Sequence, residues 1–172
     1  MLEVLSQGHP LLESIALNVK EHDISAHQAF IDNLILTAEK RNGVGIAAPQ
    51  VGQSLRLFIV ASRPNTRYPQ APLMEPTAMI NPQILAHSDN FVKDWEGCLS
   101  VPGWRALVPR YQAIEVTYCD RWGKRQHRQL TDFVARIFQH ELDHLNGIIF
   151  PDRLISADDL YTEEDYQNII KT

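Results

Sequence analysis

Several things are scarce in this 172-residue chain, and each scarcity excludes a class of protein. Two cysteines, Cys98 and Cys119, are too few for a disulfide framework, and reduced thiols leave one of them free to do chemistry. No stretch approaches the ~18 to 20 apolar residues that a membrane-spanning helix needs. No lysine or arginine precedes Lys20, and polar residues interrupt each early apolar run, so neither a secretory signal nor a transit peptide is expected. Positive charge is also in short supply. A formal net charge of -5 gives no general attraction to DNA or to anionic membrane, and we expect neither as a partner. There is no internal repeat and no low-complexity tract. What is present is ordinary, with 44% hydrophobic and 22% charged residues, which fits one globular domain over residues 1–172 in the cytoplasm.

Apolar periodicity supplies a coarse outline. Ser25 with Gln28 forms a capping-box pattern, and Phe30, Ile31, Leu34, Ile35 and Ala38 follow at helical spacing, predicting a helix over 26–40. "LRLFIVAS" (55–62) reads as a buried strand, and "AMINPQIL" (78–85) as a strand that Pro82 restricts to an edge or a bulge. Between them, Pro64, Pro69, Pro72 and Pro76 predict a surface loop. "RALVP", "AIEVTYC" and "RQHRQL" predict further strands, the last two joined at the turn "DRWGK" into a meander. Cys119 ends one of these strands and reads as a small core residue. Thr131 or Asp132 then caps a helix whose apolar positions Phe133, Ile137, Phe138, Leu142 and Leu145 recur up to Gly147. Helix, strands, then helix argues an α+β fold with mainly antiparallel strands.

That last helix carries "QHELDHL" (139–145). Positions i and i+4 of a helix lie ~40° apart, so His140 and His144 project from one face and can share an ion. Glu141 stands close enough to reach a water on that ion without ligating it, which is the mechanical content of the HExxH pattern. The competing account makes the histidines satisfied polar groups on a core helix. A catalytic site of this type needs a third protein ligand. The position that a longer histidine motif would use is Phe150, which cannot coordinate. Glu163 and Glu164 fall at a peptidase-like distance, yet residues 151–172 hold six acidic side chains against two basic ones, a net of -4, and read as a solvated acidic segment. Cys98 remains, in "EGCLS" (96–100), where Gly97 allows a tight backbone and a neighbouring cation would keep the thiol ionised.

With "GVGIAAPQ" (43–50), "EGCLS" and "QHELDHLNG" in that order, the chain resembles the bacterial peptide deformylases, which show the motifs GxGxAAxQ, EGCxS and QHExDHxxG. The resemblance covers roughly residues 43–153, "RALVPR" and "DRWGK" included. It implies an α+β fold built around the HExxH helix and a metal-dependent hydrolase. The implied reaction releases formate from the N-formylmethionine of newly made chains. It also implies Fe2+ as the native ion, with Zn2+, Ni2+ or Co2+ able to take its place on Cys98, His140 and His144. The resemblance gives Glu141 the proton, gives the formyl oxygen to the Gln50 amide and the Leu99 N–H, and pairs the backbone at Gly45 with the substrate main chain.

Helix geometry puts Phe133 and Ile137 on the face of the histidines. With Val44 they could line a methionine slot, or simply pack the core. Glu96 reads as an anchor for its loop. Relatives commonly place glycine where Asp132 stands, and here the aspartate is expected to cap the helix instead. Some relatives dock on the ribosome through a basic C-terminal helix. The acidic segment argues against docking by that route, leaving at most a transient ribosome association.

Overall fold

The computed structural model describes all residues, 1–172. The regular elements are α1 (Gln28–Lys40), β1 (Gly45–Ala47), β2 (Leu57–Val60), β3 (Thr77–His87), β4 (Phe91–Cys98), β5 (Val101–Tyr111), β6 (Ala113–Cys119), β7 (Arg125–Thr131), α2 (Asp132–Leu145), β8 (Leu160–Thr162) and α3 (Glu163–Lys171). Five strands form one antiparallel sheet in the order β1-β2-β3-β6-β7, and a second sheet is ordered β4-β5-β8. The fold is α+β, as expected.

The two helices α1 and α2 cover opposite faces of the larger sheet, which explains why β2 is apolar at every position. Leu57 and Ile59 pack with Ile31 and Leu34 of α1, while Phe58 and Val60 pack with Phe138 and Leu145 of α2. The Phe58 and Phe138 rings meet edge to face with centroids 5.1 Å apart. A third apolar cluster, holding Cys98, Val101, Val108 and Phe150, lies under the smaller sheet. Phe150, the residue that cannot coordinate, is buried there and stacks on the His140 ring at 6.2 Å.

Pro82 takes the bulge option. β3 lies inside the sheet, between β2 and β6, and its register with β6 shifts between Ile80 and Gln83. Asn81 adopts φ 50 at that point, held by side-chain hydrogen bonds to both Val19 N and Val19 O. The 61–76 segment is irregular, in keeping with its prolines.

Several local expectations need correction. The Ser25 capping box does not form: Glu21–His27 is a 3-10 turn, and Gln28 instead donates to Ile24 O (3.2 Å) and Arg121 O (2.6 Å), tying α1 to the β6–β7 turn. Neither Thr131 nor Asp132 caps α2 with its side chain. Asp132 sits at φ 53, a left-handed conformation that glycine adopts without strain, and its carboxylate accepts from Gln112. Cys98 is not on a loop but ends β4, opposite Val101.

The acidic C-terminal segment is not a solvated tail either. β8 pairs with β5, Glu163 bonds the buried Arg105 at 2.8 Å, and Tyr166 of α3 is buried. Of its six acidic residues, Asp152, Asp158, Glu164 and Asp165 remain exposed, as does the end of α3 from Asn168 on. Cys119 packs, half-buried, against the α1 side of the core.

Candidate active site and metal centre

Two elements that are distant in sequence converge. α2 buries ten of its fourteen residues, so the polar members of "QHELDH" are carried inside on a helix whose apolar side is already committed to the sheet. The β4–β5 hairpin delivers Cys98 to the same point. The Cys98 Sγ lies 3.3 Å from His144 Nε2, and the ligand atoms of Cys98, His140 and His144 all fall within 4.8 Å of one another, each residue buried. Ligand atoms around a tetrahedral ion stand ~3.3 to 3.7 Å apart, so this donor set fits one small divalent cation. Neither Glu163 nor Glu164 belongs to it.

The charges around the donors favour a cation. His140 Nδ1 bonds Glu96 Oε1 at 2.7 Å, which turns Nε2 towards the cluster. Burial alone would push the Cys98 thiol up, but the His144 and His140 imidazoles beside it reverse this and hold it well below the usual thiol range. Burial likewise opposes a proton on His140, yet Cys98 and Glu96 keep its pKa well above the usual histidine range. The three donor atoms stand where they could hold a metal ion in place of that proton.

Glu96, an anchor whose partner the sequence does not reveal, has four bonds to three partners. It accepts from Arg110 Nε and Nη2 (both 2.9 Å), Arg136 Nη1 (2.7 Å) and His140. Burial would raise its pKa, but Arg110 overrides this and holds the carboxyl far below the ordinary range. Arg110 also reaches Asp143 at 2.6 Å, and Asp143 pairs with Arg153 at the surface. A buried chain of charge thus fastens the β4–β5 hairpin to α2 and orients His140.

Glu141 is different in kind. Its Oε2 is buried with no hydrogen-bond partner, and burial pushes its pKa up to about 7. The carboxyl presses on the β1 backbone: a Cβ added at Gly45 would meet Glu141 Oε1 at 2.7 Å, so only glycine leaves it room. Gln50 is 2% exposed, and its amide orientation is fixed because Oε1 accepts from Ala47 N at 2.8 Å. That turns Nε2 towards Ser100 Oγ (3.1 Å) and Cys98 Sγ (3.6 Å). Leu99 begins the turn between β4 and β5, with its side chain against Gly43.

These groups line one cavity. The sequence-predicted Val44, Gly45, Gln50, Cys98, Leu99, Phe133, Ile137, His140 and Glu141 all border it, while His144 closes the donor set behind. Val44 and Ile137 are core residues as well, so slot and core are one surface here. Sequence reasoning missed Arg67, Tyr68, Trp95 and Arg136 on the cavity wall. Tyr68 comes from the proline-rich loop, where its hydroxyl accepts from Gly97 N at 3.1 Å, and nothing in local spacing announces that contact.

A buried thiol, two imidazoles and a carboxyl gathered at one cleft, on a helix set against antiparallel sheets, fit the class of metal-dependent hydrolases. Comparison with known proteins narrows this class. The family model for polypeptide deformylase matches residues 1–159. Peptide deformylase 2 of Nostoc sp. is 59% identical over 170 residues, covering 99% of this chain and 95% of the relative. Among solved structures, a Met-Ala-Ser-bound class I type b peptide deformylase from Acinetobacter baumannii superposes with TM-score 0.86 at 44% identity, covering 90% of this chain and 98% of that one. The peptide deformylase of Thermotoga maritima gives TM-score 0.80 at 35% identity, over 91% and 99% of the two chains. The chain belongs to the peptide deformylase family.

Proposed function

We propose that in this deformylase Cys98, His140 and His144 hold one divalent ion, Fe2+ in the native enzyme, with Zn2+, Ni2+ or Co2+ as workable substitutes. Bound there, the ion supplies the Lewis acidity that activates a water and polarises the formyl carbonyl. Glu141, with a pKa of about 7, takes the water's proton at neutral pH and returns it to the departing amine, which cannot leave as an anion. Gln50 Nε2, fixed by the Ala47 bond, and the Leu99 backbone N–H receive the negative charge that grows on the formyl oxygen.

The substrate is the formyl-methionine end of a newly made chain, met in the cytoplasm and at most transiently at the ribosome. β1 is an edge strand of the larger sheet, and the Gly45 side of that edge borders the cavity, so an extended peptide can add there by main-chain pairing without side-chain readout. Val44, Phe133 and Ile137 then receive the methionine side chain. The Met-Ala-Ser bound by the Acinetobacter relative supports a short methionine-led peptide as the ligand. The observation that carries the proposal is the unpartnered Glu141 carboxyl beside a buried Cys-His-His donor set. It is tested by formate release from formyl-Met-Ala by the ferrous protein prepared without oxygen: turnover is expected, and its absence overturns the proposal.

A further inference from the structure

We infer that the β6–β7 hairpin is a docking surface for single-stranded RNA, with Trp122 stacking on an unpaired base and Lys124, Arg125 and Arg128 meeting the phosphates. Residues 120–131 carry four basic side chains and one acidic one, in a chain whose net charge is -5. The only ion pairs on the hairpin are Arg121 with Asp32 of α1 at 2.7 Å and His127 with Glu115 at 2.6 Å. Lys124, Arg125 and Arg128 are exposed and have no carboxylate partner. Asp120, the one acid of the turn, is turned inward, accepting from Trp122 N and Lys124 N at 3.0 Å each and from Gln126 Nε2 at 2.9 Å. These bonds also fix the turn, and Gln28 fastens it to α1 through Arg121 O at 2.6 Å and Arg121 Nε at 2.9 Å. The Trp122 ring, 81% exposed, thus stands out from a fixed support and loses little freedom on binding.

β7 is the outer strand of the larger sheet, at the edge opposite β1. Its outward N–H groups have no strand to pair with, and phosphate oxygens accept from such groups as well as from side chains. Strand side chains alternate, so Arg125 and Arg128 leave this edge on opposite faces and straddle a backbone lying along it. The acidic residues near the C-terminus pack on the other sheet, where β8 pairs with β5. None of the hairpin residues borders the catalytic cavity, so docking here leaves the β1 edge open to the peptide. The combination of groups selects the partner. An acidic peptide would match the three cations but offers Trp122 no regular ring to stack on. A lipid surface needs more apolar area than one side chain gives, and Trp122 is the only large apolar side chain exposed between Ala113 and Thr131. An unpaired nucleic-acid strand supplies both a π-face at every base and a phosphate between bases. The choice of RNA over DNA, and that choice alone, rests on the newly made chains proposed above as substrate.

The test titrates the full-length, metal-loaded enzyme into a fluorescein-labelled single-stranded RNA of about ten nucleotides and reads fluorescence anisotropy. With three phosphate contacts, affinity should fall about 15- to 20-fold between about 50 and about 200 mM salt, a log-log slope near about -2. Lys124→Gln, Arg125→Gln and Arg128→Gln combined in one chain should bring that slope towards zero. Trp122→Ala should weaken binding about tenfold at an unchanged slope, and Trp122→Phe should recover most of the loss. An RNA duplex of the same length, its bases already stacked, should bind more weakly than the single strand. The kcat/KM for formyl-Met-Ala should keep its native value in every variant, which shows that each one folds. Absence of binding at about 50 mM salt, a slope unchanged in the triple variant, or full affinity in Trp122→Ala overturns the inference. Equal binding by poly-glutamate or by phosphatidylserine vesicles also overturns it, assigning the patch to an acidic protein or to a membrane. Tighter binding by the DNA strand of the same sequence overturns the choice of RNA. Formate release by the native enzyme is read apart from RNA binding, so failure of the deformylase reading and failure of this inference are told apart.

Discussion

Replacing Glu96 with glutamine probes the connection between the buried charges and the donor set. Glu96 is 3% exposed and accepts from Arg110, Arg136 and His140, so Glu96→Gln removes the counter-charge of the buried Arg136, leaves Arg110 with Asp143 alone and sets an amide N–H against donors. Removing one partner of a buried ion pair costs about 3 to 5 kcal/mol, and the amide oxygen retains part of the hydrogen bonding, so about 3 kcal/mol is the expected loss. At about 2 to 4 °C per kcal/mol for a chain of this size, the midpoint of thermal unfolding should fall by roughly 10 °C. Because His140 loses the group that orients its ring, metal affinity should fall about 10- to 100-fold.

The pH dependence carries a definite sign. The Glu96 pKa in the folded protein lies below its unfolded value, so its contribution is complete above the ordinary carboxylate range and is lost as pH falls below that range towards the folded pKa. Wild-type stability should therefore decline on acidification, and the variant should decline less. The assay is thermal unfolding of metal-free protein across that window, with metal titration against a chelator at neutral pH. Equal midpoints and parallel pH profiles would refute the reasoning.

Other perturbations follow from the same geometry. Glu141→Gln should lower formate release by about 10² to 10⁴ while metal content stays at one ion per chain, and loss of the ion would point to a ligand role instead. Wild-type activity should rise with pH as Glu141 ionises, with the bound cation drawing the midpoint below the value of about 7 that burial sets; a rate that falls as pH rises from about 5 to about 7 would contradict this. Gly45→Ala should reduce kcat/KM by at least about tenfold, since its Cβ would meet Glu141 Oε1 at 2.7 Å and displace the carboxyl; wild-type kinetics would show that the carboxyl yields freely. Asp132→Gly relieves the left-handed residue at φ 53 and should stabilise the fold by about 0.5 to 1 kcal/mol in denaturant titration; a loss would show that the Gln112 bond matters more.

How much of this was legible in the sequence depended on the range of the interaction. Local signals were clear: the apolar run of β2, the proline in β3 and the spacing of His140 with His144 all express short-range rules. The Ser25 capping box failed because Gln28 found a stronger partner in Arg121, 93 positions away. β4 went unread because its first half is exposed and its alternation is weak, so only pairing with β5 defines it. The Glu96, Arg110, Arg136 and Asp143 network joins two strands to a helix, and no periodicity encodes such pairing. Counting charge misjudged the C-terminal segment, since Arg105 neutralises Glu163 and Tyr166 carries the helix inward.

The central claim is that Cys98 completes the metal site of a deformylase. It is tested most directly by metal content and formate release on the ferrous protein, purified without oxygen, beside Cys98→Ser and Glu164→Gln. One ion per chain and formate from formyl-Met-Ala are expected in the native protein and in Glu164→Gln, with both lost in Cys98→Ser. An intact ion in Cys98→Ser, or its loss in Glu164→Gln, would contradict it.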